Sequence, residues 1–171
     1  MTDDLLHWAD DAAGADAQAA AGLSPWKVLV IDDDPEVHTV TRFSLQDLRV
    51  FGRPLSLLHA SSAAAARSLL RDHPDVAVVL LDVVMETAQA GLELVGFIRD
   101  ELGLAECRLI LRTGEPGYAP ELTVIQEYDI NDYRTKGELT HTRLITTVSS
   151  ALRSYQQLHA LAEHRRGLEL I

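Results

Sequence analysis

Three carboxylates, a hydroxyl and an ammonium group stand just beyond apolar runs of this sequence. Asp32 and Asp33 follow Val28-Leu29-Val30-Ile31, Asp82 follows Val76 to Leu81, Thr113 follows Arg108 to Arg112, and Lys136 lies past Ile130 to Tyr133. If those runs are neighbouring parallel strands, all five side chains meet at one end of a sheet, outside the carboxyl ends where open α/β folds bind ligands. Carboxylates crowded together repel one another unless a cation neutralises them. An all-oxygen set without Cys or His favours a hard divalent ion, and a site open to water and phosphoryl oxygens suits Mg2+. Thr113 and Lys136 then offer a hydrogen-bond donor and a point charge to the equatorial oxygens of a transferred phosphoryl group. The remaining requirement is a nucleophile, which a carboxylate meets by forming an aspartyl phosphate.

The rest of the chain reads as scaffold for these residues. Val28 to Ile31 is an uninterrupted, β-branched apolar run, the mark of a strand covered on both faces. Asp34 and Pro35 open a helix as N-cap and first helical residue, and Val37, Val40, Thr41, Ser44, Leu45 and Leu48 recur at helical spacing. Leu55 to Ala60 is a second strand. Ser61 or Ser62 begins an Ala-rich helix that closes before His73-Pro74, and Val76 to Leu81 is the central strand. A third helix turns Leu92, Val95 and Ile98 inward and stops at Gly103. Arg108 to Arg112 gives a fourth strand, Pro120 to Tyr128 a fourth helix and Ile130 to Tyr133 a short fifth strand, before a long helix that runs from near Thr140 to the last residue. Five strands alternating with five helices make an α/β sheet, mostly parallel, with helices on both faces.

Composition narrows the function. The 171 residues hold one domain of ordinary size plus an extension, and 47% hydrophobic residues suffice for a core. Lys and Arg total 15 against 26 Asp and Glu, a formal charge of −11, which repels phosphate backbones and anionic headgroups. Nucleic acid and membrane surfaces are therefore poor partners. No apolar run approaches the roughly 20 residues of a spanning helix. The acidic N-terminus lacks the basic start of a signal peptide, and the single cysteine, Cys107, forms no internal disulfide, so a reducing cytoplasm is expected. The seven histidines are scattered without ligand spacing and read as solvated surface.

Four motifs in order, Val28 to Pro35, Leu80-Leu81-Asp82-Val83-Val84-Met85, Leu111-Arg112-Thr113-Gly114 and Asp132-Tyr133-Arg134-Thr135-Lys136, resemble those of response-regulator receiver domains, over about residues 26 to 155. The resemblance implies a flavodoxin/CheY-like fold: a doubly wound five-stranded parallel sheet of order 2-1-3-4-5 with five helices, the last extended. It implies that Asp82 is the phosphoacceptor and that a sensor histidine kinase or phosphotransfer protein supplies the phosphoryl group. Asp33 would ligate Mg2+ directly, Asp32 directly or through water, with Asp82 and the backbone carbonyl of Val84 completing the protein ligands. Thr113 and Lys136 would hold the phosphoryl oxygens, and Tyr133 would change rotamer when Thr113 is drawn inward. Partner exchange or a homodimer would follow, through the face of the fourth helix, fifth strand and fifth helix or through the C-terminal helix.

The chain also departs from the receiver pattern. Glu86 stands where Pro usually follows the Met, the loop from Asp82 to Gly91 is one residue longer, Gly114 replaces a frequent Ala, and Gly137 replaces the Pro after Lys136, which favours a trans bond there. Two rivals stand beside the receiver reading. Asp32-Asp33-Asp34 holds the Asp-x-Asp of haloacid-dehalogenase-like phosphatases, with Asp32 as nucleophile, but Asp82 then has no role. A receiver-like interaction module without phosphorylation is the other. Residues 1–25 read as a mobile acidic arm, 26–155 as the receiver and 156–171 as a helical connector. The apolar spacing of Ala151, Ser154, Leu158, Leu161 and Leu168 continues past what a receiver needs, so an output domain, of HD-GYP type by resemblance, is expected beyond Ile171.

Overall fold

A computed structural model of the chain describes residues 23–114 and 122–170. The expected acidic arm, except its last residues, and the start of the expected fourth helix lie outside the described residues. The elements run β1 (Trp26–Ile31), α1 (Pro35–Leu45), β2 (Arg49–Val50), β3 (Arg53–Ala60), α2 (Ala63–Asp72), β4 (Val78–Asp82), α3 (Ala90–Gly96), β5 (Arg108–Thr113), α4 (Leu122–Glu127), β6 (Asp132–Thr135) and α5 (His141–Glu169). α3 continues into a π-helical turn over Phe97–Glu101.

The sheet order is β2-β3-β1-β4-β5-β6. β3, β1, β4, β5 and β6 are the five parallel strands, in the expected order. β2 adds a two-residue antiparallel strand at the edge, pairing Arg49 with Pro54 and Val50 with Arg53. The turn between them holds Phe51 at φ 51° and Gly52 at φ 72°. Hairpin turns of this kind need positive φ at both central residues. Gly52 supplies one freely, whereas Phe51 gives no sequence signal for it.

Strand alternation divides the core in two. Leu29, Ile31, Val79, Leu81, Leu109 and Leu111 pack with Ala66 and Leu70 of α2 and with Leu94, Val95 and Ile98 on the same face. Val28, Val30, Val78, Leu80 and Ile110 pack on the other face with Leu45 of α1 and with Leu144, Val148 and Leu152 of α5. Each such side chain, fully buried, contributes roughly 1.5–3 kcal/mol relative to exposure.

Local rules explain where the elements begin. Asp34 caps α1 by accepting from the Glu36 N–H, with Pro35 at the first helical position. Ser62 caps α2 by accepting from the Ala65 N–H. Thr41, Ser44 and Leu45 of α1 face inward as their spacing predicts, whereas Val40 is exposed and His38 is buried in addition. β6 starts two residues later than expected because Ile130 closes the α4 turn, its N–H donating to the Ile125 carbonyl at 3.0 Å. Leu94 and Phe97 bury alongside Val95 and Ile98, while Leu92 is only half-buried.

Gly91 fixes how closely α3 approaches the end of β4. Its N–H donates to the Val83 carbonyl at 3.1 Å. A Cβ there would stand 2.6 Å from Val83 Cα and 2.8 Å from the Val83 carbonyl oxygen, and closer still to the Asp82 carbonyl. These are backbone atoms, so only movement of the strand end relieves the clash. Gly91→Ala is expected to destabilise the fold by about 2 kcal/mol, the usual range for overpacking. A lowered urea midpoint at unchanged m-value checks this.

Candidate functional site

Parallel pairing brings the C-terminal ends of β1, β4, β5 and β6 to one edge of the sheet. Asp32, one residue past β1, is fully buried, and its backbone N–H donates to the Ala60 carbonyl at 3.1 Å. Asp82, the last residue of β4, is 3% exposed, and Thr113, the last of β5, is buried. Lys136 follows β6, tied back by its N–H to the Thr113 carbonyl at 2.7 Å. Its Nζ donates to Asp32 Oδ1 at 3.2 Å and to Asp82 Oδ2 at 3.1 Å, and lies 3.0 Å from Asp32 Oδ2. Asp33 stands on the exposed rim, and one oxygen from each of Asp32, Asp33 and Asp82 lies within 4.8 Å of the others. The Val84 N–H donates to Asp82 Oδ1 at 3.2 Å, orienting the carboxylate.

Burial pushes the Asp82 carboxyl above the usual range, and the charge of Asp32 adds to this; the Lys136 hydrogen bond and the Val84 N–H only partly offset them. Burial works against the Lys136 ammonium, yet its hydrogen bonds to Asp32 and Asp82 outweigh that and hold its pKa above the ordinary lysine value. Asp32 Oδ2 is buried and accepts no hydrogen bond. This oxygen, whose close contact is the Lys136 ammonium at 3.0 Å, belongs with the other two carboxylates to a donor set that suits a hard cation. The cluster can hold a metal ion.

No protein-family model matches the chain. It is 46% identical over 144 residues to the 3'3'-cGAMP-specific phosphodiesterase 2 of Vibrio cholerae serotype O1, a match that covers 84% of this chain. The chain spans 28% of the length of that curated relative. Among solved structures, it superposes on the signal receiver domain of an HD domain-containing protein from Pseudomonas fluorescens Pf-5 with a TM-score of 0.65 and 21% identity, over 80% of this chain and 93% of that one. A CheY-like response regulator receiver domain from Methanospirillum hungatei JF-1 matches with a TM-score of 0.62 and 24% identity, over 77% of this chain and 97% of that one. This chain has the receiver fold.

Within the receiver fold, Asp32, Asp33, Asp82 and Lys136 converge as the sequence motifs imply, and Thr113 adjoins them through the Lys136 N–H. Val84 follows Asp82 by two residues and lies at the site's edge. Tyr133 sits opposite Leu111 in the β5–β6 register, as Thr135 sits opposite Thr113, and it packs against the core on the α2–α3 face. Every described peptide bond is trans, that between Lys136 and Gly137 included. Glu138 closes this loop by accepting from the Thr135 N–H and hydroxyl at 2.9 Å. Glu86 has a use that Pro could not serve, since its Oε1 accepts from the Ala63 N–H at 2.9 Å and ties the loop after Asp82 to the start of α2.

Two features were absent from the sequence reading. The guanidinium of Arg112 is buried beside Asp32, with Nη2 3.9 Å from Asp32 Oδ2 and Nη1 donating to the Thr41 hydroxyl at 3.2 Å. The signal for it was period two: Arg112 shares parity with Ile110, as Asp32 does with Val30 and Asp82 with Leu80. His38, expected at the surface, is buried instead. Its Nε2 lies 2.7 Å from the Asp32 carbonyl oxygen and its Nδ1 2.8 Å from Nδ1 of His59. Burial, with the charges of His38 and Arg42, lowers the His59 pKa.

The raised Asp82 carboxyl makes a stability prediction. The folded protein binds a proton there more readily than the unfolded chain, so the ionised form costs stability above the raised pKa and the cost fades as pH falls through it. Without divalent ions, Asp82→Asn is expected to stabilise the protein by about 1 kcal/mol at neutral pH. Thermal melts of both proteins at pH 7 and at decreasing pH should show the gap closing above the ordinary aspartate range.

Proposed function

We propose that this domain is a Mg2+-dependent phosphoacceptor that takes a phosphoryl group from a phosphohistidine of a sensor histidine kinase or phosphotransfer protein onto Asp82. The observation that carries this reading is the bridge of Lys136 Nζ between Asp32 and Asp82, inside a cluster of three carboxylates within 4.8 Å of one another. Asp32, Asp33, Asp82 and the Val84 carbonyl would hold Mg2+, which supplies charge neutralisation for the phosphoryl oxygens. An Asp82 oxygen forms the bond to phosphorus as the bond to the histidine nitrogen breaks, and the electron pair leaves with the imidazole. Lys136 gives up its contact with Asp82 to pair with a phosphoryl oxygen, and the Thr113 hydroxyl donates to another. The barrier falls through positioning and charge more than through acid-base chemistry.

The same reading assigns the switch to Thr113 and Tyr133, which share one face of β5 and β6. Moving Thr113 toward a phosphoryl group frees space for the Tyr133 ring and changes the face built from α4, β6 and α5, favouring a homodimer there or along α5. We read the chain as an arm over 1–25, the receiver over 26–155 and a connector over 156–171, the connector continuing α5, which runs unbroken from His141 to Glu169. The V. cholerae relative is a phosphodiesterase far longer than this chain, which supports an enzymatic output domain beyond the connector, with the HD-GYP type resting on the sequence resemblance alone. Among the described residues no helix is long and apolar enough to cross a membrane. Cys107 is buried, its thiol pushed up to about 12 by that burial, which suits a cytoplasmic protein with no disulfide to form.

The phosphatase alternative needs Asp32 as nucleophile and Asp34 as acid/base. Asp32 is fully buried under Lys136, and the Asp34 carboxylate is engaged as the cap of α1. Intact mass after incubation with acetyl phosphate and Mg2+ separates the readings. Wild type should gain one phosphoryl group, Asp82→Asn none, and both should stay unmodified when EDTA replaces Mg2+. Modification of Asp82→Asn but not of Asp32→Asn would establish the phosphatase, and no modification of any protein would favour the unphosphorylated module. Sedimentation with and without beryllofluoride reads the dimer in the same preparation, and identical profiles would remove the dimer switch.

A further inference from the structure

Arg112 is a fixed cation placed behind the acidic cluster, and no role described so far uses it. Its side chain is 4% exposed, and its Nε and Nη2 make no hydrogen bond. An arginine is not deprotonated in proteins, so the charge stays, although burial lowers its pKa against the pull of Asp32 and Asp82. A buried, half-satisfied charge is costly unless an opposite charge compensates it. Here the compensating group is Asp32, whose Oδ2 lies 3.9 Å from Nη2 and is shared with Lys136 Nζ at 3.0 Å. The pairing register sets this juxtaposition, since Arg112 is the β5 partner of Asp82.

Formal charges show what Arg112 does. Asp32, Asp33 and Asp82 carry three negative charges, and Lys136 and Arg112 two positive ones. Lys136 reaches the cluster from the rim, 26% exposed, and can swing toward an arriving phosphoryl group. Arg112 is enclosed by the sheet and α1, held by Thr41, and cannot leave.

We propose that Arg112 is a positioning residue of the divalent-ion site: from behind the cluster it attracts Asp32 Oδ2 and opposes the ion's charge, so the site binds Mg2+ weakly and exchangeably. The inference rests on the metal-dependent reading given above. Without Arg112 the same carboxylates would face the ion with a greater net negative charge.

Calorimetric titration of Mg2+ into wild type, Arg112→Met and Arg112→Lys tests it. A cavity of about 220 Å³ lined by Thr41, Arg112, Lys136, Leu139 and Leu144 adjoins the guanidinium, so Met can settle without overpacking. Arg112→Met is expected to bind Mg2+ about tenfold more tightly, and Arg112→Lys to stay close to wild type. Equal or weaker binding by a folded Arg112→Met protein overturns the role. Binding by neither protein overturns the metal site itself, and this role with it. If Arg112→Met does not fold, wild type decides: the Arg112 Nε–H resonance should shift as Mg2+ saturates the site, and an unmoved resonance overturns the proposal.

Discussion

Negative charge gathered at one end of the sheet is the constraint that the rest of the molecule answers. Oxygens of Asp32, Asp33 and Asp82 lie within 4.8 Å of one another, two of the residues are buried, and in such surroundings like charges repel strongly. Lys136 stands 3.0–3.2 Å from Asp32 and Asp82, and Arg112 behind them. The cluster exists because parallel pairing aligns β1, β4, β5 and β6 at one edge, and it is tolerated because two cations are held there by the same strands. A carboxylate cluster balanced in this way could hold a divalent ion.

The scaffold serves that edge at several distances. Gly91 lets α3 start against the backbone of Val83, Glu86 fastens the loop after Asp82 to α2, and Glu138 fastens the loop after Lys136. The backbone hydrogen bond from Lys136 to Thr113 links the two strands whose side chains would hold a phosphoryl group. His38 reaches the Asp32 carbonyl from α1, so even the helix that follows the first acidic motif is tied to it. Few of these contacts are apolar, in contrast with the core beneath the edge.

How much of this was legible in the sequence depends on the kind of signal. Uninterrupted runs such as Val28 to Ile31 and Val76 to Leu81 mark buried parallel strands, and the residues just after them were readable as a converging site. The five parallel strands followed from the same pattern, and their order from the resemblance to receiver domains. β2 was not legible, because two residues carry no periodicity and Phe51 is not a residue one expects at positive φ. Along α1 the spacing of Thr41, Ser44 and Leu45 marks the inward face, but Val40 is exposed and His38 is buried beside its polar partners near the site. Arg112 was passed over as part of an apolar strand, although counting by two from Asp32 and Asp82 puts it on their face.

The central claim is that the acidic edge is the molecule's divalent-ion site. Substoichiometric Mn2+ added to ¹⁵N-labelled protein tests it most directly, since paramagnetic broadening reports where the ion sits. The amides of Asp33, Val83 and Val84 should broaden first, with those of Glu106 and Glu163 at the far end of the sheet and on α5 unaffected. Broadening centred on any other acidic surface, or spread evenly over the protein, would contradict the account.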